Sequence, residues 1–307
     1  MNQRAASPSP YRTGLGGIYL LLIAVMLFVT MDTLVKYMVQ TYPVTQVVWA
    51  RFFFNFALLL PFFLLKVNRS KIKTRKPALQ LGRSIMLFMT TLLFFTALTK
   101  MPLADATAAF FASPLIVTIL SVVLLGEKVG IRRSIGVAVG FVGVLVILRP
   151  GFGELSWFAL LPLAGAAIYA FYQIATRQLS IHDSAMTTFF YTPLLGAIVF
   201  SIAVPFDWKS PDALGWFMMV ACGALGGTGH YILIKAFERT EASLLAQYYY
   251  TNLIWATLSG WLVFNQLPDI YTIAGAILVV LSGIYILHRE RLSSRERLAA
   301  AATIEPI

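Results

Sequence analysis

Ten apolar stretches, each close to the length a helix needs to cross a lipid bilayer, occupy most of this 307-residue sequence. They run over 15–39, 44–65, 78–99, 103–125, 131–148, 155–176, 185–205, 213–236, 242–265 and 270–287. A crossing helix takes roughly 20 predominantly apolar residues, so 131–148 and 270–287 are the shortest that qualify. Hydrophobic residues make up 59% of the chain and charged residues only 12%, where a soluble domain carries about 25% charged residues. These proportions argue against a soluble enzyme, a disordered chain and a nucleic-acid binder. The sequence reads as an all-α polytopic membrane protein of ten transmembrane helices.

Arg4 and Arg12 precede the first stretch as in a secretory signal. That stretch is too long for a signal core and has no clear cleavage site, so it reads as a retained first helix. The net charge of +11 has a membrane explanation, because Lys and Arg accumulate in cytoplasmic loops. With the N-terminus inside, 18 Lys and Arg fall in inner segments and 3 in outer ones. Lys36, Arg51 and Arg83 lie within spans. This asymmetry predicts that both termini are cytoplasmic in the cell inner (plasma) membrane. The basic run 66–76 reads as a lipid-facing orientation signal. The single Cys222 excludes an intrachain disulfide, and His182, His230 and His288 are too dispersed for a zinc site.

The segment 95–148 aligns without a gap on 234–287, an offset of 139 positions that carries Ala97 onto Ala236. Lys100 falls on Arg239, Glu127 on Gln266, Gly136 on Gly275, and Ile147-Leu148 on Ile286-Leu287. Identity is low, but helix order and loop positions are kept together. Each half then holds five helices. An odd number makes the second half enter from the opposite side, which predicts two inverted five-helix repeats around a central cavity. The expected boundaries are 13–150 for the first repeat, 153–290 for the second and 291–307 for a cytoplasmic tail.

The run from Ala104 to Glu127, "ADATAAFFASPLIVTILSVVLLGE", followed by Gly136, Gly140 and Gly143, resembles the EamA branch of the drug/metabolite transporter superfamily. The second half carries "ASLLAQYYYTNLIWATLSGWLVFNQLPDIYTIAG". It departs from the first in having Gln266 for the acidic residue and Asn252-Leu253 for Ser113-Pro114. The likeness extends over roughly 15–288. It implies a ten-helix carrier whose relatives export amino acids or import riboflavin or S-adenosylmethionine. Asp32 through Arg51 resembles the importer-like branch.

Charges inside the hydrocarbon are costly and are functional candidates by default. Asp32 and Lys36 share one face of the first helix, and Arg51 lies at a similar depth in the second. The three are expected to meet in the outer half of the membrane, either attracting a carboxylate group or forming a salt-bridge cluster that fixes packing. Arg83, nearer the inner end of helix 3, is expected to snorkel to headgroups or cap a neighbouring helix. Asp105 suits the first turn of helix 4, and Glu127 reads as a structural loop tie.

Helix 6 presents Tyr169, Tyr172, Gln173 and Thr176 on one face. Helix 9 carries Gln247, Tyr248, Tyr249, Tyr250, Thr251 and Asn252, with Tyr248, Asn252 and Trp255 on one stripe and Gln247, Tyr250 and Thr251 on the next. Phenol, amide and indole groups suit a flat polar ligand. They also serve interhelical hydrogen bonds and interfacial belts. His230 follows a run of glycines and reads either as a titrating group or as a packed neutral one. The glycine pairs 223/227 and 136/140 are packing seams or faces for a homodimer. Pro114, Pro162 and Pro193 mark breaks or hinges.

The substrate-binding candidates are therefore Asp32, Lys36, Arg51, Tyr172, Gln173, His230, Gln247, Tyr248, Tyr250, Asn252 and Trp255. The expected partners are a small-molecule substrate and the bilayer, with no nucleic acid. No nucleotide-binding GxxxxGKS occurs, nor HExxH or GxSxG, so a secondary carrier without a cofactor is favoured over an intramembrane enzyme. The aromatic content and the importer-like resemblance point to uptake of a riboflavin-like aromatic metabolite. Export of amino acids or related metabolites is the alternative, and a residual positive charge at the site speaks for a carboxylate substrate.

Overall fold

A computed structural model of the chain describes residues 15–66, 72–125, 130–148, 157–240, 245 and 248–303, and every regular element among them is helical. The helices are α1 (Leu15–Met38), α2 (Val44–Lys66), α3 (Pro77–Leu98), α4 (Leu103–Phe110), α5 (Ser113–Leu125) and α6 (Ile131–Leu148) in the first half. The second half contains α7 (Leu160–Leu179), α8 (Ala185–Ala203), α9 (Ala213–Phe237), α10 (Thr251–Phe264) and α11 (Ile270–Thr303). Among the described residues, six segments are long and apolar enough to cross a membrane, and 134–148, 251–264 and 270–286 are shorter apolar helices. The expected all-α polytopic membrane architecture is the one observed. Helix α11 runs unbroken from Ile270 to Thr303.

Polar groups in an apolar solvent must find partners within the protein. The hydroxyls of Thr33, Thr91, Thr96 and Thr107 each donate to the carbonyl four residues earlier. Helix ends use side chains in the same way. Ser184 accepts from Thr187 N, Asp212 from Gly215 N and Asp269 from Thr272 N, which starts α8, α9 and α11. At the end of α10, Asn265 turns left-handed (φ 53°). Its N–H bonds to Trp261 O, the five-to-one bond of an αL cap with asparagine in the usual glycine place, and the N–H of Gln266 bonds to Gly260 O.

The fourth span is broken between α4 and α5 at Phe111-Ala112. The chain breaks again at Tyr250, where α10 begins. Under the 139-residue offset, Phe111 falls on Tyr250, so the two halves are interrupted at equivalent places. The two rings stack with centroids 5.1 Å apart.

Helices α6 and α11 form the seam between the halves. A Cβ on Gly143 would lie 2.7 Å from Gly275 O, and one on Gly275 would lie 2.5 Å from Gly143 O. Only glycine permits this backbone approach. The offset relates this pair to Ser282 and Gly136, and the Ser282 hydroxyl donates to Gly136 O at 2.5 Å. Likewise Gly136 packs on Ile286 as Gly275 packs on Ile147. The repeat read from sequence thus reappears as paired contacts about one local axis. Gly223 and Gly227 lie against Phe54 and Asn55 of α2. Both glycine pairs pack against helices of the same chain, as packing seams do.

Each end of the bundle is tied by loop contacts between the halves. At one end, the side-chain amide of Gln46 donates to Lys209 O (2.8 Å) and accepts from Lys209 N (3.0 Å). Tyr42 donates to Asp212 (3.2 Å), Thr45 to Asp207 (3.1 Å) and Lys209 Nζ to Thr41 O (2.9 Å). At the other end, the Asp183 carboxylate accepts from the Thr74 hydroxyl and from Arg75 N (2.8 Å). The repeat offset relates the 39–46 loop to the 179–184 loop. The two ties are therefore equivalent placements in an inverted arrangement.

Candidate substrate-binding site

The residues of α1 that face outward are Tyr19, Ile23, Met26, Thr30 and Tyr37. At 3.6 residues per turn, Asp32 lies on the opposite side, toward the bundle interior. It nevertheless keeps accessible surface. Its electrostatic neighbours are Arg51 of α2, Cys222 of α9 and Tyr249, just before α10. Four elements thus converge on the middle of the bundle.

The expected meeting of Asp32, Lys36 and Arg51 does not occur. Lys36 is 4% exposed, and its ammonium donates to Met101 O at 2.6 Å and Leu98 O at 3.5 Å. It neutralises the carbonyl-rich end of α3, a favourable place for a cation. It also lies 5.3 Å from the Phe264 ring centroid. Arg51 donates to Thr91 Oγ1 at 3.3 Å and rests between the rings of Phe52 (5.7 Å) and Phe95 (5.4 Å). Asp32 and Arg51 are neighbours without an ion pair, and Asp32 makes no hydrogen bond among the described residues.

Arg83 does not snorkel. It is 4% exposed and faces the second half of the chain. Nε donates to Thr176 Oγ1 (2.6 Å), Nη1 to Thr192 Oγ1 (2.6 Å) and Nη2 to Tyr172 OH (2.5 Å). Its guanidinium carbon also lies 4.4 Å from the Tyr172 ring centroid. A planar fork spreads its donors over three nitrogens in fixed directions, so it spans hydroxyls on two helices that a single ammonium nitrogen would have to share. From this anchor a ladder of rings climbs the bundle. Tyr172 stacks on Tyr169 (5.2 Å, 18°), Tyr169 meets Phe110 (5.4 Å), and Phe110 meets Phe94 (5.5 Å). Phe110 ends α4 beside the break, so the ladder passes the broken fourth span.

The helix 9 cluster divides. Tyr248 is 38% exposed and faces outward. Tyr249 turns inward against Phe111 at 6.1 Å, with Trp255 in the adjoining apolar cluster. Tyr250 is 7% exposed and packs between Phe111 and Gly283. Asn252 is buried at the start of α10. Gln173 of α7 is half-buried beside the ladder. His230 is half-buried and lies edge-on to Phe28 at 4.9 Å. Gln247 and Glu127 lie outside the described residues.

The interior groups are thus Asp32, Arg51, Arg83, Tyr169, Tyr172, His230 and Tyr249. Reading from sequence alone omitted Arg83, Tyr169 and Tyr249 from the site. The i, i+3 spacing of Tyr169 and Tyr172 carried the signal for Tyr169. Nothing in the sequence separates Tyr249 from Tyr248, because the local break resets which way consecutive tyrosines point.

Known proteins resemble this sequence over most of its length. The EamA-like transporter family matches residues 15–149 and again 156–288. An S-adenosylmethionine uptake transporter of Rickettsia prowazekii is 28% identical over 283 residues, 92% of this chain and 96% of the relative. A riboflavin transporter of Vibrio cholerae is 29% identical, covering 82% of this chain and 86% of the relative. A pseudopaline exporter of Pseudomonas aeruginosa is 29% identical, covering 87% and 94%. A solved crystal structure aligns over 91% of this chain and 99% of its own, with TM-score 0.63 at 20% identity, which shows the fold.

Proposed function

Because the chain belongs to the EamA-like transporter family and is a transporter rather than an enzyme, we propose that it is a secondary carrier taking up a planar aromatic metabolite, riboflavin-like in its ring, by alternating access. The observation that carries this reading is the ring ladder from Phe94 to Tyr172, ending on the Arg83 guanidinium. Aromatic faces offer a flat ligand stacking surface, while the hydroxyls and cations orient its polar edge. The paired breaks at Phe111 and Tyr250 support a site near the midplane, since interrupted spans at equivalent positions are a feature of inverted-repeat carriers.

Alternation has a natural basis in the two loop ties. Releasing the Gln46–Lys209 tie opens one end, and releasing the Asp183–Thr74 tie opens the other. The count of basic residues supports an inner-membrane orientation with the Lys209 end outside and both termini cytoplasmic. The partners in this reading are the small-molecule substrate and the bilayer. The charge set supports a second reading, export of an amino-acid-like metabolite, because Arg51 is suited to a carboxylate.

Reconstituted protein should take up labelled riboflavin or S-adenosylmethionine with saturation kinetics, each inhibited by its unlabelled form. Uptake no faster than in empty liposomes for both compounds overturns the uptake reading. Saturable movement of amino acids with neither aromatic compound turns the assignment to the second reading.

A further inference from the structure

Four ionic side chains at the heart of the first half differ sharply in how they are satisfied. Lys36 is held by two backbone carbonyls. Arg83 is held by three hydroxyls and a phenol ring. Arg51 has one bond of 3.3 Å, to a Thr91 hydroxyl that itself donates to Leu87 O. Asp32 has no hydrogen bond or ion pair among the described residues.

A carboxylate inside a protein is costly unless it is paired and hydrogen-bonded. Its opposite charge is near, yet farther than the 4.0 Å of an ion pair. The Phe52 and Phe95 rings flank the guanidinium and fix its position on α2. Two opposite charges are thus kept apart, and both side chains are half-buried. A lone anion placed there would satisfy Arg51 and be repelled by Asp32. A lone cation would meet the reverse. A group bearing both charges satisfies both.

We propose that Asp32 and Arg51 form a receptor for a zwitterionic α-amino-acid head, the ammonium on Asp32 and the carboxylate on Arg51, with the attached ring directed toward Tyr249 and Tyr169. This rests on the carrier reading above and narrows its substrate class. Tyr249 is the electrostatic neighbour of both charges, and Tyr169 of Arg51 and Tyr249, so head and ring regions adjoin. Lys36 is a structural cation in this scheme, and Arg83 positions Tyr172 at the end of the ring ladder. An adenosyl compound with a methionine head has both features, whereas riboflavin has only the ring.

Competition for uptake of labelled S-adenosylmethionine by the wild-type protein in proteoliposomes tests this without a variant. S-adenosylhomocysteine keeps ring and head and should compete about as well as the substrate. Decarboxylated S-adenosylmethionine lacks the carboxylate, and methylthioadenosine lacks the whole head. Each should compete at least about tenfold less well, the effect of losing one charged hydrogen-bonding partner. Asp32→Asn should close the gap between decarboxylated S-adenosylmethionine and methylthioadenosine, which differ by the ammonium arm, and keep the penalty for a missing carboxylate, whereas Arg51→Gln should remove that penalty and keep the gap. Both variants are checked for a single monodisperse peak in detergent. Equal competition by methylthioadenosine and S-adenosylhomocysteine overturns the head receptor and leaves the aromatic carrier standing. Uptake of riboflavin without S-adenosylmethionine also overturns it. Movement of neither compound, nor of any amino acid, overturns the receptor and the carrier reading together.

Discussion

Gln46→Ala removes the tie that closes the Lys209 end. Gln46 is fully buried and its amide makes two bonds to the backbone of Lys209, at 2.8 and 3.0 Å. Each such bond contributes about 1 kcal/mol net. Lys209 is exposed, so water can satisfy the freed backbone groups and no large desolvation cost follows. The closed state of this end then loses about 2 kcal/mol, or about 30-fold in the opening equilibrium at 1.4 kcal/mol per decade. Hydrogen exchange by mass spectrometry in detergent reads this directly. Amides in 39–46 and 204–212 should exchange about 30-fold faster, while those in 72–76 and 180–184 should not speed up. Asp183→Ala should give the opposite pattern. Unchanged exchange at 204–212, or equal acceleration at both ends, would refute the idea that each tie holds its own end closed.

Three further outcomes follow from the packing and the site. Arg83→Lys keeps the charge but loses two of three hydroxyl contacts, so the KM for an aromatic substrate should rise about tenfold or more, as expected when charged hydrogen bonds of about 1.5–3 kcal/mol are lost; uptake kinetics at matched membrane levels check it. Tyr249→Ala should raise KM likewise, while Tyr248→Ala, on the outward face, should leave it unchanged in the same assay. Gly275→Ala places a methyl group 2.5 Å from a backbone oxygen that no rotamer change can relieve, and unfolding in mixed micelles should show about 1–3 kcal/mol less stability. Gly82→Ala, with open space around it, should match or slightly exceed the wild type in that measurement.

The fold was legible because membrane burial leaves a direct mark on sequence. A bilayer demands long apolar runs, and the offset of 139 that joins Gly136 to Gly275 reappears as paired contacts along α6 and α11. The site was less legible, because sequence shows which polar residues enter the membrane but not what satisfies them. Lys36 and Asp32 share a face of α1, yet one reaches the end of α3 and the other keeps an open interior position. The partner carbonyls belong to a chain segment more than sixty residues away, and backbone carbonyls leave no trace in composition. Arg83 misleads in the opposite sense. Its depth suits snorkelling, and only the packing of α3 on α7 and α8 turns it toward Thr176 and Thr192. Tyr250 reads as a ligand group, but the break beside it makes it a wedge between the halves.

The central claim, a carrier that exposes one site alternately to the two sides, is tested most directly by counterflow. Proteoliposomes loaded with unlabelled S-adenosylmethionine or riboflavin are diluted into a trace of the labelled compound. Alternating access predicts a transient accumulation of label above its equilibrium level, because exchange through one site couples the two fluxes. Label that enters without overshoot, at a rate linear in concentration and indifferent to the internal load, would mark a channel and contradict the account.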